Sequence, residues 1–390
     1  MAALLAAFLL LASFSCSQRQ THPGRTLGIE KYSSARDLYQ LAETYRVKHG
    51  VPALGIGIVH RGRIVGLGMA GERAEGSMDW AILDDPFDVA SCSKSVTATI
   101  AAMLVEEGKV RWDTTFAEAF PELRSVIHPG YAGATLELLL RHRAGLDHEM
   151  NRNERWTGWN QQHARKSPTE QRLRFTEAAL RRPPRYKPDT DTFYSSDGYL
   201  VAGSILERAA GMDWEHLVQA RLFQPLGLKT MKFGIPTQVS GHEPGWFGRL
   251  RVIARDSNEY GNHPFGAPAG FLQTSVPDLL RYVDFHIQGW NGSNRLLKQA
   301  SFQRLHARVN EEPYALGWES EVKRDKHGQI YEHSVFHGGY SGRFRANMWF
   351  VPETQWGTVI VINHGRGDDL ITADIFHGLL REFGLGPNPG

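Results

Sequence analysis

The position of the strand-like segments along the chain constrains the fold more than any other feature. Two lie near the front: ALGIGIVH (Ala53 to His60) and RIVGLGMAG (Arg63 to Gly71), joined by a turn at Arg61-Gly62. Ile56 and Ile58 alternate with glycines, the period of two that a strand shows. Two more, FRANMWFV (Phe344 to Val351) and GTVIVINH (Gly357 to His364), lie near the other end. Between them the apolar spacing is mostly helical. The expectation is one α/β domain whose front and back pieces share a sheet, with the middle, roughly residues 110–265, inserted as helices.

The helical segments carry recognisable punctuation. Ser34 to His49 presents Leu38, Leu41, Ala42 and Tyr45 on one face and stops at Gly50. Ser93 to Glu107 turns Val96, Ile100, Met103 and Leu104 inward and stops at Gly108. Thr135 caps LELLLRH, while Ser196 to Ala210 and Trp214 to Leu222 keep helical spacing. Thr274, Ser275 and Asp278 open a helix to Gln288, and a last amphipathic helix spans about Leu370 to Phe383.

Composition removes several classes. With 44 Lys+Arg against 42 Asp+Glu the formal charge is +2, so a dedicated nucleic-acid binder has no electrostatic basis. The locally basic run Arg165 to Lys187 reads as a solvated face, or as a rim attracting anionic substrates. Two cysteines, Cys16 and Cys92, make neither a disulfide scaffold nor a four-thiolate zinc site. Residues 2–12 form an apolar run of the kind that ends in a secretory cleavage site, with Ser13 and Ser15 at −3 and −1 to Cys16. The expected organisation is a signal peptide (1–15), a loose tail (16–30) and a catalytic domain (31–390), exported to the periplasm or secreted. Cys16 is a candidate lipid anchor, the one expected route to a membrane.

Three motifs mislead. Gly66 to Gly71 satisfies G-x-G-x-x-G, yet no helix follows to hold a pyrophosphate, so these are strand glycines. His333 and His337 lie four apart in a strand-like stretch without a third metal ligand of obvious spacing. No G-x-S-x-G occurs.

The strongest chemical signal is Ser91-Cys92-Ser93-Lys94. On the first turn of a helix, residues three apart share a face, which brings the Lys94 ammonium to the Ser91 hydroxyl. A serine hydroxyl needs such a base to become a nucleophile. A second S-x-x-K, Ser320 to Lys323, sits in the charged stretch ESEVKRDKHGQ, an exposed strand and turn. Cys92 reads as a small buried hydrophobe beside the nucleophile.

The surroundings of Ser91 resemble those in serine β-lactamases of class C and their penicillin-binding-protein, D-stereospecific peptidase and esterase relatives. Further blocks follow in the same order: TLELLLRHRAGL, FYSSDGYLVAGSILERAAG, QPLGLKTM, APAGFLQTSVPDLLRYV, ALGW and HGGYSGRFRANMWFVPETQWGTVIVINHG. The resemblance implies a β-lactamase/transpeptidase-like fold, an α+β or α/β architecture with an antiparallel sheet flanked by helices and a helical insertion. It implies an acyl-enzyme on Ser91, with Lys94 and Tyr194 moving the proton. Tyr194-Ser195-Ser196 stands where the family has Tyr-x-Asn, so Ser196 replaces the asparagine that contacts substrate. A literal Tyr-x-Asn, Tyr260 to Asn262, is the competing second motif. His337-Gly338-Gly339 stands in place of Lys-Thr-Gly. There His337 is expected to donate a hydrogen bond or positive charge to a substrate carboxylate or to Tyr194, and Gly339 to leave room for the tetrahedral centre. The N–H groups of Ser91 and Tyr340 would form the oxyanion hole.

The expected reaction is hydrolysis of an ester or amide, the substrate class running from D-amino-acid peptides and esters to β-lactams, without metal or organic cofactor. The changes at Ser196 and His337 argue against an efficient β-lactamase. A non-hydrolytic cell-wall-peptide or penicillin binder is the alternative.

Overall fold

The front hairpin and the terminal strands meet in a single sheet. The computed structural model describes residues 22, 24–146, 152–245, 249–253, 263–309, 312–365 and 370–385. Its strands are β1 (Arg36–Asp37), β2 (Ala53–His60), β3 (Arg63–Gly71), β4 (Phe87–Asp88), β5 (Lys232–Phe233), β6 (His242–Pro244), β7 (Leu250–Val252), β8 (Leu272–Thr274), β9 (Glu319–Arg324), β10 (Ile330–Tyr340), β11 (Arg345–Val351) and β12 (Trp356–Ile362). Seven of them form the main sheet in the order β1-β3-β2-β12-β11-β10-β9. All pairs are antiparallel except β1 with β3, so the expected antiparallel sheet is mixed at one edge. The seam between the ends of the chain is β2 on β12, from Leu54 opposite Ile362 to His60 opposite Trp356.

Helices cover both faces: α1 (Tyr39–His49), α2 (Ser93–Glu106), α3 (Phe116–Ala119), α4 (Leu136–Leu140), α5 (Arg152–Gln162), α6 (Pro168–Leu180), α7 (Ser196–Ala210), α8 (Trp214–Val218), α9 (Gln224–Leu226), α10 (Val276–Trp290), α11 (Gln299–His306) and α12 (Leu370–Glu382). Ile56 and Ile58 of β2 join Ala42, Tyr45, Ile375 and Leu379 in a core under α1 and α12. The glycines between them face α10. A methyl group on Gly57 would lie 2.5 Å from Leu280 Cδ1, and one on Gly55 2.7 Å from Val276 Cγ2. The Ile/Gly alternation therefore sets the close approach of α10 to the sheet. The larger core lies on that side and includes Met69, Val96, Ile100, Val276, Leu280 and Val361.

The helix expected from Ser34 begins at Tyr39 instead, because Arg36 and Asp37 pair with Gly66 and Leu67 of β3. Asp37 accepts from the N–H of Thr26 (3.1 Å) and of Tyr39 (2.9 Å). Thr26 is fully buried, so the expected loose tail to residue 30 is too long by several residues. Residues 1–21, which contain the export reading and Cys16, and residues 254–262, which contain Tyr260 and Asn262, lie outside the described residues.

Gly66, Gly68 and Gly71 belong to β3, with no helix at their end. Ser320 and Lys323 sit on β9, where residues three apart point to opposite faces: Ser320 is buried, and Lys323 pairs with Glu332 at the surface. Among the described residues no helix is long and apolar enough to cross a membrane, and no group of three or more His, Cys, Asp or Glu could hold a metal ion.

Candidate active site

Ser91 lies in a single 3₁₀ turn, Ala90–Cys92, that runs directly into α2. The preceding Ala90 takes a left-handed φ of 44°, and its N–H is held by Asp88 Oδ1 at 2.8 Å. This sharp entry puts the Ser91 hydroxyl on the wall of an open cleft of ≈ 830 Å³, which Tyr194, His337, Gly339, Tyr340 and Arg345 also line. Lys94, one helical turn on, is fully buried. Its Nζ donates to Ser91 Oγ at 3.0 Å and to the carbonyl of Ala269 at 2.8 Å. It also stands 4.8 Å from the centre of the Tyr194 ring and 5.7 Å from that of Tyr199. The cation thus sits between two aromatic faces and two oxygen acceptors, an environment that orients the nitrogen toward the hydroxyl.

Tyr194 is the last residue before the helix cap Ser195, whose side chain accepts from the N–H of Gly198 at the start of α7. The phenol is 41% exposed and borders the cleft. The structure therefore brings Ser91, Lys94 and Tyr194 together. Ser196 is the first residue of α7 and, like Lys94, is completely buried and not among the residues that line the cleft. Its hydroxyl therefore differs from the expected substrate contact in being enclosed in this structure.

His337 differs from expectation. Its Nδ1 lies 2.7 Å from the carbonyl of Gly338, which can only accept, so Nδ1 carries the proton. Nε2 is then an acceptor for the hydroxyl of Tyr314 at 3.0 Å. Burial, and then the Lys94 cation, push its pKa down to about 3. The ring is neutral near pH 7 and brings no positive charge to a substrate carboxylate. Gly339 lines the cleft beside Ser91 and has a packing role as well. A methyl group there would meet the Val89 carbonyl oxygen at 2.1 Å, so the missing side chain makes room for the turn that carries Ser91. Tyr340 closes β10, with its hydroxyl on the Gly365 carbonyl (3.0 Å) and the Arg345 guanidinium 4.5 Å from its ring centre.

Cys92 is buried and free, with Sγ 3.4 Å from the His337 carbonyl. Burial pushes its thiol far above the usual range, against a second nucleophile at this turn. His333 instead pairs with Glu353 (2.6 Å), away from His337.

Sequence reasoning missed Tyr314, His142 and the Ala269 carbonyl. Two of them lie in blocks quoted for the family resemblance, His142 inside TLELLLRHRAGL and Ala269 inside APAGF, and Tyr314 immediately precedes ALGW. Only the contacts single them out.

The family model described as Beta-lactamase matches residues 38–380. The chain belongs to the beta-lactamase family. Among curated members, penicillin-binding protein 4 of Amycolatopsis lactamdurans is 25% identical over 363 residues, 87% of this chain and 88% of that one. A lovastatin esterase of Penicillium rubens is 27% identical, over 39% of this chain and 40% of its own length. Among solved structures, a D-amino acid amidase from Ochrobactrum anthropi superimposes with a TM-score of 0.67 at 20% identity, covering 89% of this chain and 98% of that one. The β-lactamase/transpeptidase-like fold follows, and its beta-lactamase-family hydrolase relatives span penicillin-binding proteins, esterases and D-amino acid amidases.

Proposed function

We propose that this chain is a serine hydrolase that forms an acyl-enzyme on Ser91 and cleaves an ester or amide. The observation that carries this is the buried Lys94 Nζ, 3.0 Å from Ser91 Oγ on the cleft wall. Loss of one proton from the resting Lys94 ammonium gives the reactive amine, whose N–H stays on the Ala269 carbonyl while its lone pair takes the Ser91 proton. Ser91 Oγ then attacks the substrate carbonyl, and the N–H groups of Ser91 and Tyr340 hold the oxyanion. Lys94 and Tyr194 return the proton to the leaving group as the carbonyl–heteroatom bond breaks. Water next attacks the acyl-Ser91 ester; its proton passes through the Tyr194 hydroxyl to the Lys94 amine and then to Ser91 Oγ as the ester C–O bond breaks, releasing the acid and restoring the serine.

The preferred substrates are D-amino-acid peptides or amides and carboxylic esters rather than β-lactams. Ser196 lacks the reach of the family's asparagine, and neutral His337 supplies no cation to a β-lactam carboxylate. The amidase and esterase relatives favour the same two classes.

Mass spectrometry after exposure to a fluorophosphonate tests the reading. The expected result is one adduct on Ser91, absent from Ser91→Ala. An adduct that persists in Ser91→Ala overturns it. Labelling without turnover of p-nitrophenyl esters or D-alanyl-D-alanine peptides favours the non-hydrolytic binder. We also propose export, on the apolar run at 2–12 with small Ser13 and Ser15 before Cys16. The mature N-terminus is expected at Cys16, with or without lipid, and a mature chain that keeps residues 1–15 refutes export.

A further inference from the structure

Tyr194 is held by one residue that no part of the mechanism has yet used. His142 ends the α4 segment, is 3% exposed, and takes a left-handed φ of 60°. Its carbonyl accepts the N–H of Phe193 at 3.0 Å and the hydroxyl of Tyr186 at 2.8 Å. Its ring Nδ1 receives the N–H of Ser195 at 3.0 Å. An amide N–H only donates, so Nδ1 carries a lone pair there. The two hydrogen bonds grip the residues on either side of Tyr194. The same imidazole packs against the Tyr194 ring, with centroids 4.3 Å apart. Tyr314 also lies 4.3 Å from the His142 ring and packs edge-on against Tyr194 at 5.8 Å, and it is the donor to His337.

The left-handed backbone is what makes both grips available from one residue. It turns the carbonyl and the ring toward the same stretch of chain, in a conformation uncommon for residues other than glycine but one that histidine enters more readily than most. The next residue repeats the pattern outside the site. Arg143 bonds Asp189 Oδ1 and Thr192 Oγ1, each at 2.9 Å, so segment 189–195 is fastened along its length to residues 142 and 143.

We propose that His142 is a positioning residue that holds the Tyr194 phenol at the nucleophile, by clamping the backbone on both sides of it and packing at a tilt against its ring. The proposal rests on Tyr194 as the proton-transfer group. It separates two properties of His142, an acceptor at the Nδ1 position and tolerance of a left-handed φ. Asparagine has both, because Oδ1 falls where Nδ1 does and asparagine enters this region readily. Glycine has only the second, and alanine has neither.

The test is steady-state turnover of a p-nitrophenyl ester by the full chain, with thermal unfolding measured on each variant. Tyr194→Phe is expected to lower kcat by about 100-fold. His142→Gly is expected to fold and to lose about tenfold to 100-fold in kcat with KM nearly unchanged, the mark of a misplaced group rather than a damaged cleft. His142→Asn is expected to recover most of that loss. In the Tyr194→Phe background, His142→Gly is expected to cost nothing further in kcat.

If His142→Asn is as slow as His142→Gly, or if the two losses multiply in the double variant, His142 does not act through Tyr194 and the proposal falls. Full activity of His142→Gly overturns it as well. An undiminished Tyr194→Phe enzyme is a different result: it removes the assigned role of Tyr194 and the proposal with it.

Discussion

At Gly339 the chain has no space for a single methyl group. The Val89 carbonyl would lie 2.1 Å from it and Cys92 Sγ 3.3 Å. Gly339→Ala must push the nucleophile turn off β10, and overpacking of this kind costs about 1–3 kcal/mol. A lowered unfolding midpoint together with slower Ser91 labelling is the expected result. A variant with both unchanged would show that the turn has slack.

The buried histidines add a pH dependence. His337 and His306 are each held down to about 3, in both cases first by burial, then by Lys94 and by His333 respectively. In the unfolded chain a histidine titrates near ~6.5. Below that pH the unfolded chain binds protons that the native state refuses. Stability is therefore complete above about pH 6.5 and declines as pH falls toward 3, by up to ~1.4 kcal/mol per pH unit for each group. Urea unfolding at pH 7, 5 and 4 is expected to show this decline. His306→Phe should flatten it by one group's share, and an unaltered slope in that variant would assign the decline elsewhere.

Among the elements, α7 connects stability to the site most directly. Its cap Ser195 accepts from Gly198 N–H through its hydroxyl, one residue beyond Tyr194. Ser195→Ala is expected to cost about 1 kcal/mol of stability, read as a lower unfolding midpoint. The backbone clamp from Ser195 N–H to His142 does not involve the hydroxyl, so kcat should change far less than in His142→Gly.

Periodicity alone made much of this level legible. The hairpin bounds, the α2 register that pairs Ser91 with Lys94, the capping of α4 and α10 and the span of α7 all follow from local spacing. The start of α1 does not, because Arg36 and Asp37 are drawn into β1 by a neighbour some 30 residues on, an order-of-magnitude separation that no local pattern reports. The same limit hid Ala269, His142 and Tyr314. A carbonyl that receives Lys94 leaves no mark on residue type, and the clamp around Tyr194 depends on a backbone conformation rather than on composition. His337 was misjudged for a related reason: its neutrality comes from burial and from a tautomer fixed by Gly338, both tertiary facts.

For the molecule as a whole, the insertion and the nucleophile helix α2 are tied together through a segment that Arg172 holds. This residue is fully buried and bonds Glu207 (2.6 Å) and Glu215 (2.8 Å) while also reaching the carbonyls of Pro264 and Phe265. A few residues on, Pro268 accepts from Thr97 and Ala269 from Lys94, both on α2. The segment from Pro264 to Ala269 is thus gripped from the insertion on one side and from the nucleophile helix on the other. Arg172→Met would leave Glu207 buried without its cation, at a cost of about 3–5 kcal/mol. The expected outcome is a large fall in unfolding midpoint, and a stability within 1 kcal/mol of the parent, on the order of a surface change, would refute the ion network as a structural tie.

The seam of β2 on β12 also has a consequence for how the protein is made. Residues 54–60 emerge from the ribosome about 300 positions before their partners at 356–362. Until those last strands arrive, the hairpin has one edge open and no platform exists on which the Ser91 turn can seat. The chain must wait through most of its own synthesis before its central pairing can close. Contacts so distant in sequence make folding slow and expose an edge in the interval. A holdase that covers residues 53–71 during elongation is the kind of assistance such a topology calls for.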